Sequence, residues 1–508
     1  MATVGCSSDF VIGILILLVA ALATLLVGGA PPVVLMACIC GASLGVWLLY
    51  QMNSGRRQVK LTEILAAALL IGYCGGCAIT QSLSGLDQSG VTFAGWNTVP
   101  ASWAAYTITN VLLASALLLL AGSAEPALIR DGEIIRVGRQ EEWLIWIGMG
   151  IVILEIFLGQ FGYQGTTAEE GTSRVSFFGE LSASLLLLML PLSAVGWVQS
   201  SGIRRFRFGF TALISLILIV PVGRRSLVYC LLVAVFAAMR LSGVQISVGR
   251  LTRWVWSALA IVVIFTLTVL FLSLRIAVDN LGPGNHPMAQ IVPQIDVALQ
   301  NPEFLLRTTK ENLESRPFLL TQYLSLLTKG GNAPEPMYGS DLKFSIEEAV
   351  PDVLYGLLGR SKNRVRAIGA EEGLANEQFH LPVFDDANSI LTSGFIDLGV
   401  FGLALYPIGI CLLWRILLVD VRIVLGKKAR LLLLLIALNT FMQAELALSG
   451  YLVEIRNGLI ILALWICLRS IPSLRLRHRN RDHLRGYQPM SNSAEPLRIR
   501  PPYESSGV

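Results

Sequence analysis

Two adjacent arginines interrupt an apolar part of the chain. Arg224 and Arg225 follow Gly223, and an apolar run lies on each side of the three residues. A guanidinium group stays charged at physiological pH and can bind two phosphate oxygens at once. The pair therefore indicates a binding site for a phosphate-like anion. A simpler interpretation stays open, in which both side chains only reach from a helix end to a membrane surface.

A second set of ionisable residues lies in a long polar segment, residues 275–394. Its candidate proton acceptors are, in order of preference, Asp386, Asp385 and His380. Further cations that can contact the same anion are Arg316, Arg360 and Arg366. Plainer roles stay open, with His380 as a surface residue and the two aspartates as a helix cap. No metal-ligand cluster and no cofactor site is visible, although two adjacent carboxylates can bind a divalent ion.

The elements that must position these residues are apolar helices. Of the 508 residues 54% are hydrophobic and 14% charged, whereas soluble domains carry roughly 25% charged residues. A helix needs about 20 mostly apolar residues to cross a bilayer. Candidate spans lie at 10–29, 32–52, 61–80, 104–122, 143–160, 177–198, 208–222, 226–243, 254–274, 395–418, 431–450 and 458–474. The sequence therefore predicts an all-α, polytopic transmembrane bundle of about 12 spans with one large loop.

Lysine and arginine concentrate in alternate connections, which is typical of cytoplasmic loops. The connections around Arg56, Arg130, Arg204, Arg250 and Lys427 are rich in cations, whereas 81–103 has none. Both termini are therefore predicted to be cytoplasmic. The predicted division is 1–274 with transmembrane helices 1–9, 275–394 as an extracytoplasmic helical loop, 395–474 with helices 10–12, and 475–508 as a basic, disordered cytoplasmic tail.

Four carboxylates fall within or at the edges of the apolar runs: Glu155, Glu180, Asp397 and Glu445. A carboxylate in a span usually faces the bundle interior or a wet cavity. Glu445 is predicted to lie deepest, and both proton coupling and a structural hydrogen-bonding role stay open for it. Asp397 and Glu180 are predicted near the outer surface, at the lip of a site.

The cysteines do not indicate a disulfide framework. None of the eight lies in the segment 275–394. Cys74-Gly-Gly-Cys77 has the spacing of a redox or metal motif, but it sits inside an apolar run with no partner cluster. We interpret it as small-residue packing between helices.

The order of features along residues 205–420 resembles the O-antigen polymerase and ligase superfamily, membrane glycosyltransferases of the GT-C type. The stretch "NSILTSGFIDLGVFGLALYP" carries Gly399 and Gly402, which match the Gly-x-x-Gly pair of the ligases. Asn388 stands where the ligases have a histidine. The preceding stretch from Ala349 to Ser389 looks like the Pro-then-Lys/Arg region of Wzy-type repeat-unit polymerases, and the "GRR" turn looks like their Gly-x-Arg turn.

The resemblance implies a GT-C-like fold and a metal-independent reaction without a cofactor. The implied substrate is an undecaprenyl-diphosphate-linked oligosaccharide, polymerised into surface polysaccharide at the outer face of the bacterial plasma membrane. Arg224 and Arg225 would bind the diphosphate, with Arg316, Arg360 and Arg366 as auxiliary contacts. Membrane lipids, a flippase and a chain-length regulator are the implied partners, and no nucleic acid is expected.

Three other functions stay open. The missing histidine makes an O-antigen ligase the weaker choice within the superfamily. A lipid-linked oligosaccharide flippase or another transporter is an alternative from a different class. Transporters often show internal repeats with paired broken helices, and the sequence shows no convincing repeat. A non-catalytic scaffold of a polysaccharide assembly is the third possibility.

Overall fold

The computed structural model describes residues 8–27, 30–54, 56–79, 101–128, 135–157, 177–219, 224–241, 336–357 and 389–470, together with 266, 273, 293–297, 300, 303 and 359. Within these residues every regular element is a helix. The helices are α1 (Ser8–Leu26), α2 (Pro31–Asn53), α3 (Leu61–Leu69, continued by a π-helical turn, Leu70–Gly75), α4 (Ala101–Ala124), α5 (Arg139–Phe157), α6 (Phe177–Gln199), α7 (Gly202–Ile219), α8 (Arg224–Arg240), α9 (Ser340–Ala349), α10 (Asp352–Leu357), α11 (Ile390–Leu398), α12 (Gly402–Leu425), α13 (Lys427–Met442) and α14 (Leu448–Ser470).

The described parts of the apolar runs are mainly helical. Five of the described helices are long and apolar enough to cross a membrane: Pro31–Asn53, Leu61–Ile79, Ala104–Ala124, Leu181–Gln199 and Leu448–Ser470. This indicates a membrane protein. The larger number of about 12 spans and the GT-C-like arrangement stay predictions. The predicted tail, and the predicted span 254–274 apart from residues 266 and 273, lie outside the described residues.

Buried hydroxyl groups of neighbouring described helices bond to each other, and many apolar side chains face outward in addition to those in the core. Thr24 of α1 and Thr109 of α4 share a hydrogen bond of 2.6 Å between buried hydroxyls. Ser193 of α6 and Thr211 of α7 do the same at 3.0 Å. Leucines such as Leu22 on α1 are exposed. This distribution suits a bundle whose surroundings are hydrocarbon, because a polar group there needs a partner within the protein.

Two glycines bring α2 close to α3. A Cβ added at Gly41 would lie 2.9 Å from Cys74 Sγ, and one at Gly45 would lie 2.9 Å from the carbonyl oxygen of Ala67. Real side chains do not approach this closely, so both positions require glycine for the observed contact. Cys74 and Cys77 are buried, and neither forms a disulfide. The prediction of small-residue packing at Cys74 is therefore confirmed.

A proline connects three helices through a freed carbonyl. Pro191 lies inside α6 and has no N–H to donate to the carbonyl of Leu187, one turn earlier. That carbonyl oxygen instead accepts from Asn439 Nδ2 of α13 at 3.1 Å and from Cys230 Sγ of α8 at 3.3 Å. The three helices are thus tied together at the level of Leu187.

The arginine-rich connections meet at one end of the bundle. The segment before α3 is held by an ion pair of 2.6 Å between Arg57 and Glu63, and the Val59 carbonyl accepts from Leu128 N at 2.9 Å. The carboxylate of Glu125, at the end of α4, accepts hydrogen bonds from two backbone N–H groups and the hydroxyl of the first α3 turn. The connections 54–61 and 122–128 therefore lie side by side.

Three further connections join the same end. Arg430 donates to the carbonyl of Leu128, and its neighbour Lys428 lies 3.3 Å from Glu141 at the start of α5. Glu141 also accepts from the indole of Trp465, near the end of α14, at 3.1 Å. The α6–α7 connection lies at the same end, because Val137 N donates a hydrogen bond to Gln199 and Arg204 donates one to Glu142. We call this the arginine-rich end.

The predicted span 395–418 is divided in the structure. Helix α11 ends at Leu398, and α12 starts at Gly402 after a short 3₁₀ turn. Gly399 has φ +59°, a backbone conformation that L side chains rarely adopt. Gly394 packs so closely on Gly402 that an added Cβ would collide with its backbone. The two helices therefore fold back on each other as a hairpin rather than forming one straight span.

The short arm of this hairpin is buried. Residues Ile390–Asp397 are all buried, and α11 is capped by Ser389, whose Oγ accepts from Leu391 N and Thr392 N. The Ser389 hydroxyl also shares a hydrogen bond of 2.5 Å with the hydroxyl of Tyr73. The start of α11 thus contacts the π-helical turn that follows α3.

Candidate functional site

The predicted anion-binding arginines open a helix. Arg224 and Arg225 are the first two residues of α8, and their side chains lie outside what the structure describes. The other predicted site residues also lie outside the described part of the chain, namely Arg316, Arg360, Arg366, His380, Asp385 and Asp386. Their roles stay predictions.

Helix α8 begins at the end of the bundle opposite the arginine-rich end. Helix α7 starts at the arginine-rich end, where Arg204 contacts Glu142, and it runs back along α6, since Thr211 of α7 bonds to Ser193 of α6. Only residues 220–223 separate the end of α7 from the start of α8. Helix α14 also runs toward the arginine-rich end, since Trp465 near its end contacts Glu141 there, so its start lies at the opposite end. We call the end that holds Arg224 and the start of α14 the loop end.

A polar cluster lies at the loop end, where α6 meets α14. The Ser184 hydroxyl of α6 lies 3.0 and 3.1 Å from the two carboxylate oxygens of Glu454 and donates to this carboxylate. Asn457 Nδ2 donates to Ser184 Oγ at 2.9 Å, and Arg456 Nε donates to Asn457 Oδ1 at 3.1 Å. Ser184, Glu454, Arg456 and Asn457 form what we call the Glu454 cluster. As whole residues, Glu454 and Arg456 are half-buried.

Arg456 connects this cluster to the polar segment of the sequence. Its Nη1 donates to the carbonyl of Ala349, the last residue of α9, at 3.4 Å. The last carbonyls of a helix lack partners within it and carry partial negative charge, so a cation there is stabilising. Part of the segment 275–394 is thereby held against α14.

Asp397 holds the other end of α9. Helix α9 has no capping side chain of its own, because its N-cap residue is Gly339. The fully buried Asp397 carboxylate accepts from the backbone N–H groups of Gly339 (2.6 Å), Asp341 (3.3 Å) and Leu342 (3.2 Å), and from the hydroxyl of Tyr406. A residue at the end of α11 therefore caps α9. Its position at the lip of a site stays a prediction, and the structure buries its carboxylate among these donors.

We expect Asp397→Ala to release the start of α9. The backbone N–H groups of Gly339, Asp341 and Leu342 would lose their carboxylate acceptor. The loss costs about 2 kcal/mol, which raises the equilibrium constant for local opening of α9 about thirtyfold. Hydrogen exchange followed by mass spectrometry should show peptides covering 336–345 exchanging faster, while peptides of α2 and α4 stay unchanged. Tyr406→Phe, which removes one donor to the same carboxylate, is the matched control with a smaller effect. Unchanged exchange over 336–345 in Asp397→Ala would contradict the capping role.

A cavity of about 420 Å³ lies beside α9. Its apolar wall includes Leu342, Ile346 and Val350, and Lys343 and Tyr355 also line it. The volume falls in the range of small-molecule sites, roughly 300–1,000 Å³. The cavity, the cap at Asp397 and the contact of Arg456 with Ala349 all involve α9. This helix is therefore the described part of the polar segment best positioned to contact a ligand.

Sequence reasoning missed Glu454, Asn457 and Ser184. It treated residues 451–457 as a connection between two spans, whereas they lie in α14, which starts at Leu448. The prediction for Glu445 was also wrong, because it lies in the turn between α13 and α14 rather than deep in a span. In "YLVEIRNGLIILALW" apolar residues lie on both sides of Glu454 and Arg456. This was the available signal that the two ionisable residues belong to a helix.

Two other predicted carboxylates lie in helices α5 and α6. Glu155 is 4% exposed, and neither of its oxygens has a hydrogen-bond partner. The nearby Ser182 hydroxyl of α6 is also without one. Glu180 falls in the first turn of α6, and its side chain lies outside the described part. Among the described residues no group of three or more His, Cys, Asp or Glu side chains could hold a metal ion.

The arrangement at the loop end can bind an anion and accept a proton. Arg456 supplies a cation, and the carboxylate of Glu454 supplies a base held by Ser184. The superfamily resemblance stays a prediction based on its motifs. No protein-family model, no curated protein and no solved structure matches the chain.

Proposed function

We propose that this protein is a membrane glycosyltransferase that polymerises undecaprenyl-diphosphate-linked oligosaccharide repeat units at the outer face of the bacterial plasma membrane. The Glu454 cluster is the observation that carries the proposal. It links a carboxylate and a guanidinium at the loop end through Ser184 and Asn457, and the guanidinium also contacts the docked helix α9. Glycosyl transfer from a lipid diphosphate needs these two kinds of group.

The reaction follows from ordinary substitution chemistry. The acceptor hydroxyl oxygen attacks the anomeric carbon of the donor sugar, and the bond from that carbon to the diphosphate oxygen breaks. The electron pair of that bond leaves with the lipid diphosphate, where arginine side chains stabilise the developing negative charge. We assign this role to Arg224 and Arg225, with Arg456 as a further cation at the loop end.

The proton of the acceptor hydroxyl passes to a general base. Glu454 is the candidate that the described residues supply, since its carboxylate is held by Ser184. Asp386, Asp385 and His380 stay the candidates from the sequence. The cavity beside α9, of about 420 Å³, has room for a saccharide.

The orientation of the bundle supports an outer site. Cations in the connections of the arginine-rich end favour the cytoplasmic side. The loop end would then face outward, where neither ATP nor nucleotide sugars are supplied. A donor used there has to carry its own leaving group, which a lipid diphosphate does.

The products of a gene deletion distinguish this function from its alternatives. We expect cells without the protein to retain single repeat units, lipid-linked or transferred singly, on the outer side of the membrane. Loss of a ligase would instead leave long lipid-linked polymer, and loss of a flippase would trap single units on the inner side. Product length measured by gel electrophoresis, with sidedness measured by accessibility to an added glycosidase, decides among the three.

One observation favours the transporter alternative. Glu155 is a buried carboxylate without a hydrogen-bond partner in a helix of the bundle. Such groups occur in proton relays of transporters. The single-unit product on the inner side would be its signature.

A further inference from the structure

Three arginines at the start of α7 differ in what they contact. Arg204 Nε donates to Glu142 Oε2 at 3.2 Å, and Arg207 lies 3.8 Å from the other oxygen of the same carboxylate. Arg205 is exposed, and its guanidinium lies over the indole of Trp197 at 4.6 Å from the ring centre. No described carboxylate lies within ion-pair distance of Arg205. Among the described residues the Glu142 carboxylate thus pairs with Arg204 and Arg207, whereas Arg205 contacts an indole.

The Trp197 indole supports the Arg205 guanidinium from one side. The indole lies against the backbone of α7, because a Cβ added at Gly209 would be only 3.3 Å from Trp197 Cδ1. A cation over an indole face is attracted by about 0.5–2 kcal/mol. The guanidinium is thereby held in place before any ligand arrives, which lowers the entropy cost of binding.

The same part of α7 presents apolar side chains outward. Ile203 is 74% exposed and Phe206 is 73% exposed, and Leu213 is also exposed. The opposite face of the helix is buried, with Phe208 and Thr211 packed inward. Arg205, Gly209 and Leu213 are spaced four residues apart, so they lie in one row along the helix. The Arg205 guanidinium therefore lies next to an exposed apolar surface of α7, at the arginine-rich end.

We propose that Arg205 and Trp197 form a binding site for an anionic phospholipid. The phosphate sits on the free side of the Arg205 guanidinium, and an acyl chain runs along Leu213 toward the middle of the bundle. Charge complementarity favours an anion, and the exposed apolar row below it needs hydrocarbon. A phospholipid supplies both in one molecule, whereas a soluble anion supplies only the first. The site does not depend on the proposed catalytic function.

Lipid binding can be measured on the intact protein by native mass spectrometry from nanodiscs of phosphatidylcholine mixed with phosphatidylglycerol. We expect wild type to retain phosphatidylglycerol in preference to phosphatidylcholine. Arg205→Gln should weaken that retention about fivefold, the effect of one cation near an anionic lipid surface. Lys427→Gln is the matched control, because Lys427 is exposed at the start of α13, at the same end, and the change again removes one charge.

Each outcome of the lipid-retention measurements supports or contradicts the proposed phospholipid site at Arg205. If Arg205→Gln does not insert into the membrane, Arg205→Lys tests the proposal, because it keeps the positive charge. This variant should lose part of the preference for phosphatidylglycerol over phosphatidylcholine, because lysine lacks the planar fork of arginine. Equal losses in Arg205→Gln and Lys427→Gln would show diffuse charge attraction and overturn the site. Unchanged retention in Arg205→Gln, equal retention of both lipids by wild type, or displacement of the lipid by inorganic phosphate would overturn it as well.

Discussion

Replacing Glu454 by Gln should lower the rate of polymerisation about 10²–10⁴-fold, the usual contribution of a positioned general base. Glutamine has nearly the same shape and its amide oxygen can still accept from Ser184, so the helix contact survives. The amide cannot take a proton from the acceptor hydroxyl. Polymer formed per unit of membrane-inserted protein, measured over time with a lipid-diphosphate-linked donor, gives the rate.

The pH profile provides a second measurement for this variant. If Glu454 is the base, the rate of the wild-type protein falls in acid as the carboxylate is protonated. The glutamine variant should lack this acid limb, whereas a merely structural role would leave it in place. Glu155→Gln is the control for a buried carboxylate outside the cluster and should keep full polymerisation. A full rate in Glu454→Gln would return the role of base to Asp386, Asp385 or His380.

Replacing Arg224 or Arg225 by Ala should lower polymerisation about 10²–10³-fold, as does the loss of one group that stabilises transition-state charge. Both residues belong to the first turn of α8, at the loop end. Arg→Lys should also fail at one of the two positions at least, because lysine keeps the charge but cannot hold two phosphate oxygens at once.

If Arg224 and Arg225 only reach from a helix end to the membrane surface, the opposite results are expected. Side chains that only reach a membrane surface can be replaced by lysine, which reaches the same depth with the same charge. Alanine would then lower the amount of inserted protein more than its specific activity. Arg136→Ala, at an exposed arginine of the other end, is the control and should change neither quantity. Full-length polymer from both lysine variants would remove the diphosphate role from Arg224 and Arg225.

Local sequence determined the helices, because a long apolar run in a membrane protein has few other stable conformations. The runs predicted at 32–52 and 177–198 lie inside α2 and α6. The alternation of cationic connections also anticipated which of them would meet, and hydrogen bonds around Glu141 and Glu125 join several of them at one end. Charge in a short connection is a local property, so the sequence alone reveals it.

Tertiary structure decided where polar groups find their partners. Hydropathy averages over about 20 residues, so it does not detect a break such as the hairpin at Gly399, which depends on the contact between Gly394 and Gly402. It also placed Glu445 in a span and Glu454 outside one, the reverse of their positions relative to α14. Asp397 capping α9 and Ser184 binding Glu454 join residues far apart in the chain. A buried hydrogen bond needs a partner at a fixed distance and angle, and only the packed helices set that distance.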